Sequence, residues 1–464
     1  MPFPFTLPTT SHFPLTQHFE SPSHPSLPRH VSTIRSNLRL ALKTHKRLSA
    51  TQQASDLPDL LSLLTRYIPA LLSLDGGLGS SGEIDVLLTS TPSFEWRPTL
   101  TAPKVPGREV GRVHCKSLEF EIYFALLTLA YVHALLAKSA LAPLYATALA
   151  SPSPEQRTAA IQSATKSLLA SAGITSYLST RCDRLAAPVP ALDVSAPVLR
   201  ALTALHHAEA TLLAVSKDDP YESAFLQESN KSDKEWMIRA PSIPKVRAHL
   251  FARLCLAAAG HADTAAALLA SAGGEGAKGR IEEGLLGYVR DLRRVSRARA
   301  CRWLGIDAEI GGRTGEGIAW LQGGLGELGA SSSAQSGTSG SSKLLSRVKS
   351  PLLKDSGGKT SHVAFESALL HALCQKWEKE NNMIGSQTVP DPAGLLQGMP
   401  SGRDMYTVSP WVPERLDEQT LAGLRAAPGD DGEDEGGSDS DEGGGQVTVG
   451  AFPAERSASS RSYF

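Results

Sequence analysis

The chain has 464 residues, 41% of them apolar and 20% charged, with a formal net charge of −1. That length allows one large domain or a few ordinary ones with a sizeable core. Segment 428–445 holds eight acids and no Lys or Arg, and taking those eight negative charges from a net of −1 leaves +7 on the rest, too modest a surplus to indicate nucleic-acid binding.

Residues 1–30 are rich in Pro, Ser, Thr, His and Phe, and prolines at 2, 4, 8 and 14 exclude a helix there. An extended arm or docked strand-like segment is expected. Ser32 is expected to cap a helix carrying Ile34, Leu38 and Leu42, followed by a second helix near 57–74. DGGLGSSG at 75–82 breaks the chain. Residues 84–100 hold the one passage of β character, with Phe94 and Trp96 alternating with polar residues and Pro98 ending the run, so a short hairpin at most is expected.

Residues 116–140 follow. No charged side chain lies between Glu121 and Lys138, and the uncharged run 122–137 is 16 residues, short of the roughly 20 that span a bilayer. A helix apolar nearly all round is a core helix or a membrane span, and this one reads as core. Helices are then expected at 143–150, 155–172, 174–187, 195–216, 219–230, 242–260, 262–272, 279–305, 307–312, 314–328 and 361–382. No fixed repeat period emerges, although stacked helix pairs are expected. Residues 330–361 read as a flexible insertion, the chain from 383 as extended, and 426–464 as a disordered acidic Gly/Ser-rich tail. The fold class is all-α with a minor β-hairpin.

Signals for chemistry are weak. Cys115, Cys182, Cys255, Cys301 and Cys374 are odd in number and far apart with no CxxC, so neither a zinc ribbon nor a disulfide framework is supported, and a reducing intracellular setting is expected. The N-terminus has no basic or apolar segment of a signal peptide, Pro2 excludes myristoylation, and the terminal SYF is no prenylation box. Membrane association is therefore expected to be peripheral or through a partner. Two GxGxxG matches, at Gly77-Gly79-Gly82 and Gly324-Gly326-Gly329, follow helices rather than strands and lack the setting of a nucleotide site. His206, His207 and Glu209 are close in sequence, but adjacent helical positions point about 100° apart, poor geometry for a shared metal. No catalytic residue, cofactor or metal is expected.

Two features suit binding. Arg290, Arg293, Arg294 and Arg297 share one helix arc, which is either a solvated face paired with acids such as Glu283 and Asp291 or a patch for anionic lipid headgroups. Residues 198–216 and 243–259 carry more apolar surface than one contact requires. Leu202, Leu205 and Leu212 form one stripe, with Leu199 and Leu213 off it. Val246, Leu250 and Leu254 form another, with Phe251 and Cys255 facing elsewhere. Such helices are sandwiched, or they expose a groove for a partner helix.

Four short matches then occur in order: Phe94-Glu-Trp96; Ser117-Leu118-x-Phe120-Glu121 running into the apolar helix; Leu205-x-x-Ala208-Glu209-Ala210 with Leu212; and Gly315-Glu316-x-Ile318-Ala319-x-Leu321. Together they resemble the Bro domain of ALIX-like adaptors over about residues 1–425. Further phrases, among them FEWRPTL, EATLLAVSKDDPY, CRWLGIDAE and MPSGRDMYTV, are similar to a fungal branch of that family devoted to ambient pH. The resemblance implies a boomerang-shaped helical solenoid with TPR-like pairs. It implies a non-enzymatic ESCRT-linked adaptor in alkaline-pH signalling, acting with other components of that pathway upstream of proteolytic activation of a zinc-finger transcription factor. It implies cytoplasmic location with peripheral recruitment to the endosomal membrane or plasma-membrane cortex. The implied partner is the C-terminal amphipathic helix of the filament-forming ESCRT-III subunit, docked at Leu212, Leu250 and Leu254, with Leu321 as a weaker addition because Trp320 departs from the usual basic residue. No coiled-coil module or Pro-rich tail follows, so YPxL-type binding is not expected. The alternative is a generic helical scaffold for an unrelated peptide.

Overall fold

The computed structural model describes residues 2–79, 82–103, 107–145, 153–185, 188–222, 225, 245–273, 279–329 and 361–425. The insertion expected at about 330–361, the tail at 426–464 and most of the helices expected at 143–150 and 219–230 lie outside the described residues. The described residues fall in one compact unit, Met1–Ala426.

Helices α1 (Leu27–His45), α2 (Ala50–Gly77) and α3 (Leu118–Leu141) build the N-terminal part. Helix α1 begins one turn before Ser32, because Pro28 sits in the first turn, where its missing N–H costs nothing. Ser49 and Gln52 form a capping box at the start of α2. Ser117 starts α3 from extended backbone, its Oγ accepting the Glu119 N–H at 3.2 Å. Every residue from Phe120 to Val132 is buried. Among the described residues, three helices are long and apolar enough to cross a membrane by length and composition alone, and the most apolar 18-residue stretch within Leu118–Tyr145 is 83% buried inside the protein, as a core helix must be.

Short strands close this end. Strand β4 (Phe94–Arg97) pairs antiparallel with β5 (Val113–Cys115) and with β1 (Thr9–Thr10) of the N-terminal arm, while β2 (Phe19–Glu20) pairs with β3 (Leu87–Leu88). Behind the sheet, the fully buried Glu121 accepts four hydrogen bonds. Tyr67 Oη (2.7 Å) and Arg35 Nε (2.8 Å) donate to Oε1, and Trp96 Nε1 (2.6 Å) and Arg35 Nη2 (3.3 Å) to Oε2. Four segments thus meet on one carboxylate, and the Phe-x-Trp and Ser-Leu-x-Phe-Glu motifs are two sides of one bond.

Next along the chain come α4 (Pro154–Cys182), α5 (Ala196–Lys217), α6 (Lys245–Ala272), α7 (Glu283–Ile310), α8 (Thr314–Glu327) and α9 (Ser361–Glu380). From α3 onward each packs on the next. The expected breaks at Gly173, near Gly260 and at Gly305 do not occur. Gly305 instead lets α7 approach α8, since a Cβ there would lie 3.0 Å from the Gly317 carbonyl. A π-helical turn at Asn381–Gly385, α10 (Pro392–Gln397) and α11 (Glu418–Leu424) interrupt the segment expected to be extended.

Between α10 and α11 the chain runs as an extended strap across three helices. Arg403 N–H donates to the Arg253 carbonyl of α6, His207 Nε2 of α5 donates to the Tyr406 carbonyl, and Trp411 N–H donates to the Gly173 carbonyl of α4, each at 3.0 Å. A Cβ on Gly173 would stand 2.6 Å from the Ser409 carbonyl, so this glycine is the crossing point of the strap rather than a helix break.

Candidate partner-docking surface

Helices α5 and α7 both pack closely on α6, and an open hollow lies between them, bridged by side-chain hydrogen bonds near its ends. Its α5 wall is Glu209, Leu212, Leu213 and Ser216; its α7 wall is Tyr288, Asp291, Leu292, Val295 and Arg299. Both sets follow helical spacing, i, i+3, i+4, i+7 on the first and i, i+3, i+4, i+7, i+11 on the second, so each is one stripe. Leu212, Leu213, Leu292 and Val295 hold the middle with the Asp291 carboxylate among them, and polar side chains hold the ends.

The N-terminal arm shuts one end. Pro2 lines the hollow, and Phe3 N–H donates to Glu209 Oε1 at 3.1 Å. Tyr288 Oη donates to the same oxygen at 2.6 Å, and the rings of Phe3 and Tyr288 lie 5.3 Å apart. Burial and the Glu209 carboxylate push the Tyr288 hydroxyl well above its ordinary range, so it stays a donor. At the other end Arg299 Nη1 donates to Ser216 Oγ at 3.0 Å and its Nε to Glu366 Oε2 at 3.0 Å. Arg302 donates to Glu366 Oε1 (2.8 Å) and to Asp219 Oδ2 (2.7 Å). This buried charge network backs the α7 wall.

The expected docking residues are distributed unevenly. Leu212 lines the hollow, with 7% of its surface exposed. Leu250 is half-buried on α6, packed against an apolar cluster that α6 shares with α7, α8 and α9. Leu254 (5%) and Leu321 (0%) lie inside that cluster, so in this geometry Leu321 offers a partner no surface. The α7 stripe went unseen because the arginines between its members dominate the sequence pattern, although the spacing of Tyr288, Leu292, Val295 and Arg299 was there to find.

Those arginines are paired. Arg290 meets Glu283 (2.8 Å), Arg293 meets Asp263 (3.3 Å), Arg294 meets Asp291 (3.8 Å) and Arg297 meets Glu327 (2.8 Å), so the arc is a face laced with acids. Glu209 anchors the arm, and His206, fully buried, lies 3.3 Å from its Oε2. Burial pushes the thiols of Cys115, Cys255, Cys301 and Cys374 up to about 12, so none is a thiolate near neutral pH. Gly324 and Gly326 lie inside α8, and no phosphate-cradling loop forms there.

A succession of helices each packed on the next, with a strand-bearing N-terminal arm, defines a class, and the family comparison agrees. The model of the BRO1-like domain matches residues 29–424, and the chain belongs to that family. It is 40% identical, over 98% of both chains, to the pH-response regulator protein palC of Emericella nidulans. Among solved structures it is similar to a Bro1 domain studied for endosomal targeting (TM-score 0.52, 16% identity, 91% of this chain and 95% of that one). It is also similar to ALIX in complex with the SIVmac239 PYKEVTEDL late domain (0.54, 17%, 89% of this chain, about half of ALIX at 49%) and to the BRO1 domain of ALIX in complex with CHMP4C (0.50, 15%, 90% and 96%). At these identities the structures establish the all-α fold.

Proposed function

We propose that this chain is a non-enzymatic adaptor of the ambient-pH response that docks an amphipathic helix of an ESCRT-III subunit in the hollow between α5 and α7. The observation that carries the reading is the pair of facing stripes, apolar at the centre apart from the Asp291 carboxylate and polar at the ends, in the hollow that Leu212 lines. The regulator role is supported by the palC relative, and the ESCRT-III partner by the CHMP4C complex of a protein with the same fold. The fine form of the proposal is the C-terminal helix of the filament-forming subunit. The adaptor then acts with other pH-pathway components upstream of proteolytic activation of a zinc-finger transcription factor. Leu212 is the direct contact, Leu250 extends the surface, and Leu254 and Leu321 brace it from behind.

A buried leucine contributes about 1.5–3 kcal/mol by area. After ordering costs, three or four such anchors give affinity of order micromolar. An anionic membrane would have to compete with Glu283, Asp263, Asp291 and Glu327 for the arginines, so recruitment to the endosomal membrane or plasma-membrane cortex is proposed to run through the protein partner. Fluorescence anisotropy with the labelled ESCRT-III tail helix tests the reading. Micromolar binding abolished by Leu212→Asp and weakened by Leu250→Asp, with helical circular dichroism retained, is the expected outcome. Binding unaffected by both substitutions would remove the site. No binding by the native chain would favour a helical scaffold for an unrelated peptide.

A further inference from the structure

Outside the hollow, two histidines and an aspartate meet where the strap crosses α5 and α6. One ring nitrogen each from His207 and His261 and one carboxylate oxygen of Asp404 lie within 4.8 Å of one another. The two imidazoles are neighbours, with ring centroids 4.1 Å apart, and His261 Nε2 stands 2.7 Å from Asp404 Oδ1. The three residues come from α5, α6 and the strap, elements that share no local sequence.

We infer that His207, His261 and Asp404 form a binding site for a divalent transition metal of the zinc class, which clips the strap to α5 and α6. The donor set is two imidazoles and one carboxylate, which suits Zn²⁺, Co²⁺, Ni²⁺ or Cu²⁺ and not Mg²⁺ or Ca²⁺. His207 keeps one ring nitrogen available to a metal. A carbonyl only accepts, so the bond to Tyr406 fixes the proton on Nε2 and leaves the lone pair on Nδ1. Donation of the second ring N–H to a backbone carbonyl is the usual outer-shell device that holds a ligand imidazole in place. At His261 and Asp404 the ion replaces the proton that lies between nitrogen and oxygen, and that proton leaves to solvent.

Ligand atoms around a tetrahedral ion with metal–nitrogen bonds of about 2.0–2.1 Å lie about 3.3 Å apart. The cluster therefore has to contract at its widest. Asp404, with its side chain 61% exposed on the strap, is the member free to move, while His207 is held by its carbonyl bond. Exposure at Asp404 also gives the ion its route in and leaves a coordination position for water. Because the chain between His261 and Asp404 is long, a clip there restrains a large loop.

Titration of the metal-free full chain with Zn²⁺ by calorimetry, and with Co²⁺ read by its visible absorption, tests this. One ion per chain is expected, with tetrahedral cobalt bands and slower amide exchange at 403–406. His261→Ala and Asp404→Asn, both at the surface, should each weaken binding about tenfold or more. His114→Ala, at an exposed histidine elsewhere, should leave binding unchanged. Absence of a stoichiometric ion, or uptake that survives His261→Ala and Asp404→Asn, would mean adventitious binding only and overturn the site.

Discussion

Glu121 and Glu366 are both carboxylates with no exposed surface, and both are held by arginine. Their surroundings differ. Glu121 takes one arginine and two neutral donors, Tyr67 and Trp96, and is sealed on every side by the arm, the sheet and α1–α3. Glu366 takes two arginines; Arg299 faces the hollow and Arg302 needs Asp219 as a second acid. Among the described residues, Arg302 Nη1 finds no partner, and that guanidinium lies over the Trp303 ring at 5.2 Å. The first cluster joins four segments into a closed core. The second stiffens the wall of an opening. Buried ion pairs are weak evidence for net stability, so the contrast teaches that the second is placed for shape.

The contrast can be broken in order of size. Glu121→Gln leaves Arg35 buried without its counter-charge and should cost about 3–5 kcal/mol in urea unfolding. Glu366→Gln should cost less, about 1.5–3 kcal/mol, because Arg302 keeps Asp219, but it should also weaken the tail helix in the anisotropy assay. Equal losses for the two, with binding untouched, would erase the distinction between sealed core and working wall. Leu292→Asp, on the half-buried α7 stripe, should lower tail-helix affinity about tenfold or more with little change in melting. The smallest effect is in the sealed half. Burial depresses the His133 imidazole from 6.5 to about 4, so the unfolded chain binds the extra proton between those values. Stability should therefore fall as pH drops from about 6.5 toward 4, and His133→Gln should flatten that slope in acid denaturation.

Much of the architecture was legible. The buried run after Glu121 and the β character around Trp96 were readable because local pattern and tertiary burial agree there. The partners of Arg290 and Arg294 were readable because Glu283 and Asp291 are one helix turn or two away. Helix ends at Gly173 and Gly305 were misread, since glycine there serves contacts with distant chain, the strap and α8, that local propensity does not register. The hollow between α5 and α7 was half legible. Leu212 stood out, but Leu254 and Leu321 turned inward, and the facing α7 stripe was obscured by charge. Nothing local couples His207 to His261 and Asp404.

The backbone bonds from Arg403 to Arg253, from His207 to Tyr406 and from Trp411 to Gly173 have a topological consequence. A row of helices joined only to their neighbours could flex like a spring, each joint yielding separately. Here a late length of chain is tied back across α4, α5 and α6, so those joints are bridled and must yield together. Shortening the chain to end before Arg403 should release them at once, whereas a fusion after Leu424 leaves the bridle whole.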